Sequence, residues 1–371
     1  MNNELRTINF ERRVTGHGRR GFTLVELVVA IGIMSLVILF AGNVFKTSIS
    51  SYRIASAQAE IMQKFRAITD QLNNDFRGLR KDAPMFIWFQ LDTSDANNRL
   101  DQIMFFADGD FQSTRTYAFN GTSIVPATSG SPVVSNLARI YYGQARSPVA
   151  LKAADRVLSR RQHLYIANPD SGNQYAQFPL NTGGILTINP GQNDSFEHDT
   201  NSLSQWQAAA QNGTNVDNII TGCFNNTYPR VDPGDANTLH LLMAQKVGSF
   251  SVQWSYYYTD ATTGYQYVYW WPSIDPDGNP ATPDSDFGPM TGMNSNPFGF
   301  YFNTTDGALP APTTSNWFLY SGANGVYYPN PPNPLDKPAF PQALKFTFTL
   351  YDSRGVFKDG QTFTHIVYLG D

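Results

Sequence analysis

The chain has 371 residues, with 26 Lys and Arg against 30 Asp and Glu for a net charge of -4, and charged residues make up only 15% of it. So weak a balance provides no basic field to recruit nucleic acid and no like-charge tail. Aromatic residues reach 14%, and the bulk is rich in Asn, Thr, Ser, Gly and Pro, which is the make-up of a β-rich exported protein rather than a cytoplasmic enzyme. One cysteine, Cys223, allows no internal disulfide and is expected to be buried.

In chain order, a basic leader comes first, with Arg6, Arg12, Arg13, Arg19 and Arg20. Leu27 to Phe45 follows as about nineteen residues without a charge, close to the roughly twenty needed to cross a bilayer core as a helix. The excess of basic residues before this run keeps the N-terminus cytoplasmic and sends the rest outward. An ordinary signal peptide would end its apolar run in a small-residue cleavage site. Here Gly21-Phe22 stands before the run, and no cut site follows it. Twin arginines ahead of Gly-Phe-Thr-Leu loosely suggest a Tat signal, but Glu26 weighs against it, because a carboxylate inside the apolar part costs about 2.5 to 3.5 kcal/mol on insertion scales.

At these residues Gly21-Phe-Thr-Leu-Val-Glu26 resembles the cleavage and methylation site of type IV prepilins and pseudopilins. The resemblance implies cleavage after Gly21 by a prepilin peptidase and N-methylation of Phe22. It also implies that Glu26, the fifth mature residue, is an assembly residue that pairs with the Phe22 amine of a neighbouring subunit. The other reading of Glu26 is an interfacial carboxylate that snorkels to the headgroups with no assembly role.

Beyond Phe45 the helix is expected to continue to about Arg80. Ile54, Ile61, Phe65, Ile68, Leu72, Phe76 and Leu79 form one apolar stripe, with Gln58, Lys64, Asp70, Asn74 and Arg77 on other faces. Gly32 and Gly42 either soften the spanning part or allow close helix contact. From Pro84 the period changes to two. Strands are expected at Met85 to Leu91, Gln102 to Ala107, Arg115 to Phe119, Leu137 to Tyr142 and His163 to Ala167. Phe250 to Tyr258 and Tyr265 to Trp271 read as one hairpin, and Leu344 to Leu350 and Phe363 to Leu369 as another.

The fold class is therefore α+β: a long N-terminal helix, transmembrane and then amphipathic, on an antiparallel β-sheet head with large loop insertions, an order that resembles pilin-like proteins. The parts are a leader peptide at 1–21, a transmembrane helix at 22–45, the periplasmic half of the helix at 46–83 and a head at 84–371, with insertions near 169–244 and 272–342. Within the group, ITDQLNNDFRGLR, VGSFSVQWSYYY and ALKFTFTLYDSRGVFKDGQTFTHIVYL are similar to the J-type minor pseudopilin of type II secretion. That resemblance implies a structural subunit of the inner membrane, its head periplasmic, at or near the tip of a pseudopilus. Its partners would be the prepilin peptidase, other major and minor pseudopilins and the inner-membrane assembly platform. The presence of Glu26 argues against the extreme tip, where no subunit above needs its carboxylate. One alternative is a minor pilin of a type IV pilus serving adhesion, motility or DNA uptake. Another is a carbohydrate or substrate-binding head that uses pilin targeting.

Other chemistry has weaker signals. Asp275, Asp277 and Asn279, with Asp284 and Asp286 nearby, have oxygen ligands at the alternate spacing of calcium loops. The glycine and the terminal Glu of such a loop are missing, so a solvated loop is the stronger reading, calcium the one ion in view, and no other cofactor is expected. The histidines His17, His163, His198, His240 and His365 are scattered, and no catalytic motif is present, so no enzyme activity is expected. Trp254, Tyr267, Tyr269, Trp270 and Trp271 either stack on a planar ligand or fill the core between sheet and helix, the second being favoured because no Lys or Arg intersperses Tyr256 to Trp271.

Overall fold

The computed structural model describes residues 21–89, 99–119, 124–126, 128–145, 152–165, 203, 206, 241–259, 264–271, 298–302, 320–321, 325–326 and 341–369. One long helix, α1, runs Leu24–Arg77. The chain divides within it into two compact units, Met1–Ser56 and Ala57–Asp371.

In the first unit every described residue of α1 up to Ala55 is exposed, including Leu27, Ile33, Ile38, Phe40 and Phe45. An apolar run left exposed by the described residues fits a lipid or subunit environment, and α1 is long and apolar enough to cross a membrane. Two of its hydroxyls bond back to the helix. Ser35 Oγ donates to the Ile31 carbonyl at 2.8 Å and Thr47 Oγ1 to that of Asn43 at 3.0 Å.

The second unit is the β head with the last turns of α1. The strands are β1 Met85–Phe89, β2 Gln102–Phe119, β3 Ile124–Pro126, β4 Ser131–Gln144, β5 Val157–Leu164, β6 Leu242–Gln245, β7 Val247–Thr259, β8 Gln266–Trp271, β9 Phe298–Phe302, β10 Tyr320–Ser321, β11 Gly325–Val326, β12 Ala343–Leu350 and β13 Gln361–Tyr368. A seven-stranded sheet takes the order β6-β5-β4-β2-β1-β9 with β3 on β2. A four-stranded sheet takes the order β13-β12-β7-β8, and β10 pairs with β11. All of these pairs are antiparallel.

The predicted stripe on α1 is the core face. Ile61, Ile68, Leu72 and Phe76 are buried, Phe65 and Leu79 pack at its margin, and Ile54 lies outside it, exposed. Phe76 is the meeting point. Its ring stacks on Phe105 of the larger sheet at 4.1 Å and lies 5.5 Å from Phe346 of the smaller one. A further clip ties the smaller sheet to the segment before β2: Leu100 pairs in parallel with Phe250, and buried Asp101 accepts from the Val252 N–H at 2.8 Å.

Gly78, directly after the helix, allows the chain to approach β2 closely. A Cβ there would lie 1.8 Å from the Asp108 carbonyl oxygen, and the Gly78 carbonyl itself accepts from the Asp108 N–H at 2.7 Å. Both predicted hairpins are present, with Trp254 opposite Trp271 and Phe348 opposite Phe363. The expected runs 102–107 and 115–119 join into the single strand β2, with register shifts between Asp108 and Phe111 and between Gln112 and Thr116. The strand expected at His163 to Ala167 lies earlier, as β5. Two pieces read as insertion contribute structure. Phe298–Phe302 forms β9 on β1, and Trp206 is buried against Phe106 with the Arg139 guanidinium 4.7 Å from its ring.

Two polar clamps hold α1 to the sheets. Asp75, 3% exposed, receives a fork from Arg160 Nε and Nη2 at 2.6 and 2.8 Å, Gln71 Nε2 at 3.0 Å, and the Tyr142 hydroxyl. Burial and the Asp75 charge push the Tyr142 phenol well above its ordinary value, so it stays a donor. The loop between β12 and β13 supplies the second clamp. Buried Asp352 accepts from the backbone N–H groups of Arg354, Val356 and Phe357, while Ser353 donates its N–H and hydroxyl to Glu60 on α1.

Asp75→Ala leaves a half-buried Arg160 and a buried Tyr142 hydroxyl without their carboxylate and is expected to cost about 3 kcal/mol; Asp75→Leu combined with Arg160→Met should recover most of that. Denaturation of the full chain in detergent checks both, and additive losses in the double variant would contradict a coupled pair. For the second clamp, burial raises both carboxyls, but the hydrogen bonds on Asp352 and those from Lys64 and Ser353 on Glu60 outweigh it and hold both low. Their stabilisation is complete above the ordinary values of 3.8 and 4.5 and declines as pH falls through the lowered folded ones. The melting temperature should therefore drop between about pH 5 and about pH 3, and less steeply in Glu60→Gln.

Candidate processing and assembly site

The residues singled out in the leader meet at the start of α1. Gly21, Phe22 and Thr23 are non-helical and exposed, so the Gly21–Phe22 bond lies outside the helix, where an extended backbone is accessible. Thr23 is the N-cap, since its carbonyl accepts the first helical bond from the Leu27 N–H at 3.1 Å.

Glu26 sits three residues further on, and the two side chains close on each other. The Glu26 N–H donates to Thr23 Oγ1 at 3.3 Å, while Glu26 Oε2 accepts the Thr23 N–H at 2.9 Å and the Thr23 hydroxyl at 3.0 Å. This is a capping box, in which each side chain satisfies an orphan donor of the helix start. A carboxylate at the positive end of a 54-residue helix is also favoured by the helix dipole. The T-x-x-E spacing was legible in Thr23-Leu-Val-Glu26, but the reading above sought the partner of Glu26 only in another subunit.

The box uses no atom of Gly21 or Phe22. Cleavage between them leaves the Thr23 amide and hydroxyl unchanged, so the processed chain keeps the cap. Both Thr23 donors fall on Oε2, so the cap itself makes no use of Oε1 on this exposed side chain. Gly32 and Gly42, further along, have nothing within 4 Å of a built Cβ, so no contact inside the chain requires either glycine.

The other candidates are not at this site. Asp275, Asp277 and Asn279 lie outside the described residues, as do Asp284, Asp286 and Cys223. Among the described residues no group of three His, Cys, Asp or Glu is placed to hold a metal ion. Of the aromatic candidates, Trp254 is 1% exposed and belongs to the core, while Trp270 is half-buried under Lys345, whose Nζ lies 4.7 Å from its ring. The side chains of Tyr267, Tyr269 and Trp271 lie outside the described set. His163 is buried in β5, and His365 lies 2.9 Å from Asn73 Oδ1 through Nε2, so these two are in different sheets.

Residues 16–42 match the family model of the prokaryotic N-terminal methylation motif. No curated protein and no solved structure matches the chain. The matched segment contains Gly21, Phe22, the capping box and all but the last three residues of the spanning run Leu27 to Phe45. It implies processing by a prepilin peptidase and assembly with other pilins, and with the apolar helix it is consistent with a single-pass membrane anchor. The N-terminal motif thus supports a type IV pilin or pseudopilin.

Proposed function

We propose that this chain is a minor pseudopilin of type II secretion, of the J type, acting at or near the tip of a short periplasmic filament. The role is structural, with no catalytic residue and no cofactor. The observation that carries it is the N-terminus: an exposed Gly21–Phe22 bond in front of a capped helix whose first half is exposed among the described residues and whose second half is the spine of a β head. Prepilin peptidase would cut after Gly21, and Phe22 would carry the methyl group. The helix would hold the chain in the inner membrane, N-terminus cytoplasmic and head periplasmic, until the assembly platform adds it to other major and minor pseudopilins.

In that filament Glu26 has two tasks that can be separated. Oε2 closes the cap, and Oε1 accepts the Phe22 amine of a neighbour. Gln at this position keeps a capping box and removes the charge, so Glu26→Gln should leave α1 capped yet lower incorporation into filaments. Glu26→Leu should lose both. If Glu26→Gln assembles like the wild type and Thr23→Ala does not, the carboxylate acts as a cap alone.

Gly21→Val should leave the leader attached, which mass spectrometry of the membrane fraction reads directly; normal processing in that variant would refute the cleavage assignment. Co-purification of the processed full chain in detergent with candidate subunits then tests the finer role. Recovery with minor pseudopilins supports it, and recovery with a type IV pilus major pilin instead would move the chain to that filament.

A further inference from the structure

The four-stranded sheet, in the order β13-β12-β7-β8, ends on β13. The ladder fixes which backbone groups of that last strand are left over. Phe250 donates its N–H to the Arg99 carbonyl and accepts from the Asp101 N–H, both at 2.9 Å, so its neighbours Ser249 and Ser251 turn their backbone groups to β12. They stand opposite Thr349 and Thr347, which leaves Phe346 and Phe348 to bond β13 through His365 and Phe363. Leu369 keeps the same alternation and donates inward to the Gln342 carbonyl at 2.9 Å. The N–H and C=O groups of Thr362, Thr364, Ile366 and Tyr368 therefore point away from the sheet, and among the described residues no group bonds to them.

Nothing in the sequence of this edge protects it. Gln361-Thr-Phe-Thr-His-Ile-Val-Tyr368 contains no Lys, Arg, Asp, Glu, Pro or Gly, and its pairing with β12 runs without a bulge. Free edges are usually short, charged, bulged or broken by proline; β6, at the end of the larger sheet, is only four residues long. The side chains are as open as the backbone. Ile366 and Tyr368, 36% and 79% exposed, are large apolar residues on the outer face of the edge. On the inner face Phe363 is half-buried, its ring 4.9 Å from that of Phe65, and His365 is half-buried beside Asn73. Outward donors and acceptors recur about every 6.8 Å along the strand. The backbone of another strand matches that row in spacing and chemistry; a lipid surface, a glycan or a phosphate backbone does not.

We propose that the free edge of β13 takes up an extended strand from the head of a neighbouring pilin subunit and so continues the four-stranded sheet into that subunit. The N-terminal motif implies assembly with other pilins, which makes such strands the available partners. Because β13 carries no charge, the added strand is uncharged where it lies beside Ile366 and Tyr368, with β-branched or aromatic residues on that face. A second copy fits less well. Phe65 and Phe76 of α1 both lie on rings of this sheet, so the helix runs along its inner face. Antiparallel pairing of two β13 edges would turn the two helices in opposite directions, whereas subunits anchored in one membrane share a direction. The inference rests on assembly with other pilins and not on the J-type reading, so it applies in either filament.

The test uses the processed full chain, co-expressed with the other pilin subunits of its filament and purified in detergent. Thr364→Pro removes an outward N–H and no bond of the β12–β13 ladder, and Ile366→Lys places a charge on the edge. Each should keep a melting temperature close to the wild type and lower recovery of the neighbouring subunit about tenfold. Hydrogen exchange is the second readout. In the wild-type complex the amides of Thr362, Thr364, Ile366 and Tyr368 should exchange at least about tenfold more slowly than in the chain alone, while those of Phe363 and His365, already bonded to β12, change little. Full recovery in both variants, or outward amides that exchange equally fast with and without the partner, would overturn strand addition and leave pilin assembly standing. A wild type that recovers no other pilin would overturn both. Dimers of the wild type that the two variants abolish, with recovery of other pilins intact, would make the occupant a second copy and overturn the proposal as well.

Discussion

One helix has to satisfy two solvents. From Leu27 to Phe45 it carries no charge and its residues are exposed on all sides, whereas from Ala57 onward only one stripe is buried and the opposite face carries Arg66, Asp70 and Arg77. The hydrophobic effect removes the stripe from water by packing it in the head, but it can do nothing for the first half within a single chain. A bilayer, or the apolar halves of other subunits, must supply that environment. The absence of charge from Leu27 to Phe45 and the position of Glu26 at the very start of the helix are both consequences of this requirement.

The head is built on the few residues of α1 that the first half does not need. Phe76 contributes its ring to both sheets at once, through Phe105 and Phe346, so a single side chain fixes where the two sheets meet. Beside it, Asp75 is an unfavourable choice on two counts, as a buried charge and as an acid in the last turn of a helix. Arg160 and Tyr142 offset both by bringing a fork and a phenol from adjacent strands. Such a contact adds specificity of register more readily than stability, since the wrong register of β4 or β5 would strand the charge.

What was legible in the chain is what a local period can encode. The stripe on α1 and the hairpins β7–β8 and β12–β13 repeat over short spans with strong alternation, and the structure has them where the spacing puts them. β9 was not legible. Phe298-Gly-Phe-Tyr-Phe302 is a short aromatic run in surroundings rich in Asn, Gly and Pro, and its partner β1 lies about two hundred residues earlier, so only tertiary pairing identifies it. Trp206 and Asp75 were missed for the same reason: what buries each comes from a distant strand. Trp254 illustrates the reverse case. Alternation assigned it to one face of β7, and the structure places that ring in the core.

The capping box changes what the unusual carboxylate requires. A lone Glu near the membrane needs a partner or a route to the headgroups. With the Thr23 N–H and hydroxyl on Oε2, the carboxylate is already hydrogen-bonded twice in the unassembled chain, so a subunit waiting in the membrane carries no unsatisfied oxyanion on that side. Assembly then has less to repair. On the proposed assembly reading the second oxygen and the negative charge serve an incoming amine, and because the box makes no use of Phe22, creating that amine by cleavage would not disturb it. Solitary and assembled states can thus share one helix start, differing in what Oε1 accepts rather than in the fold of the N-terminus.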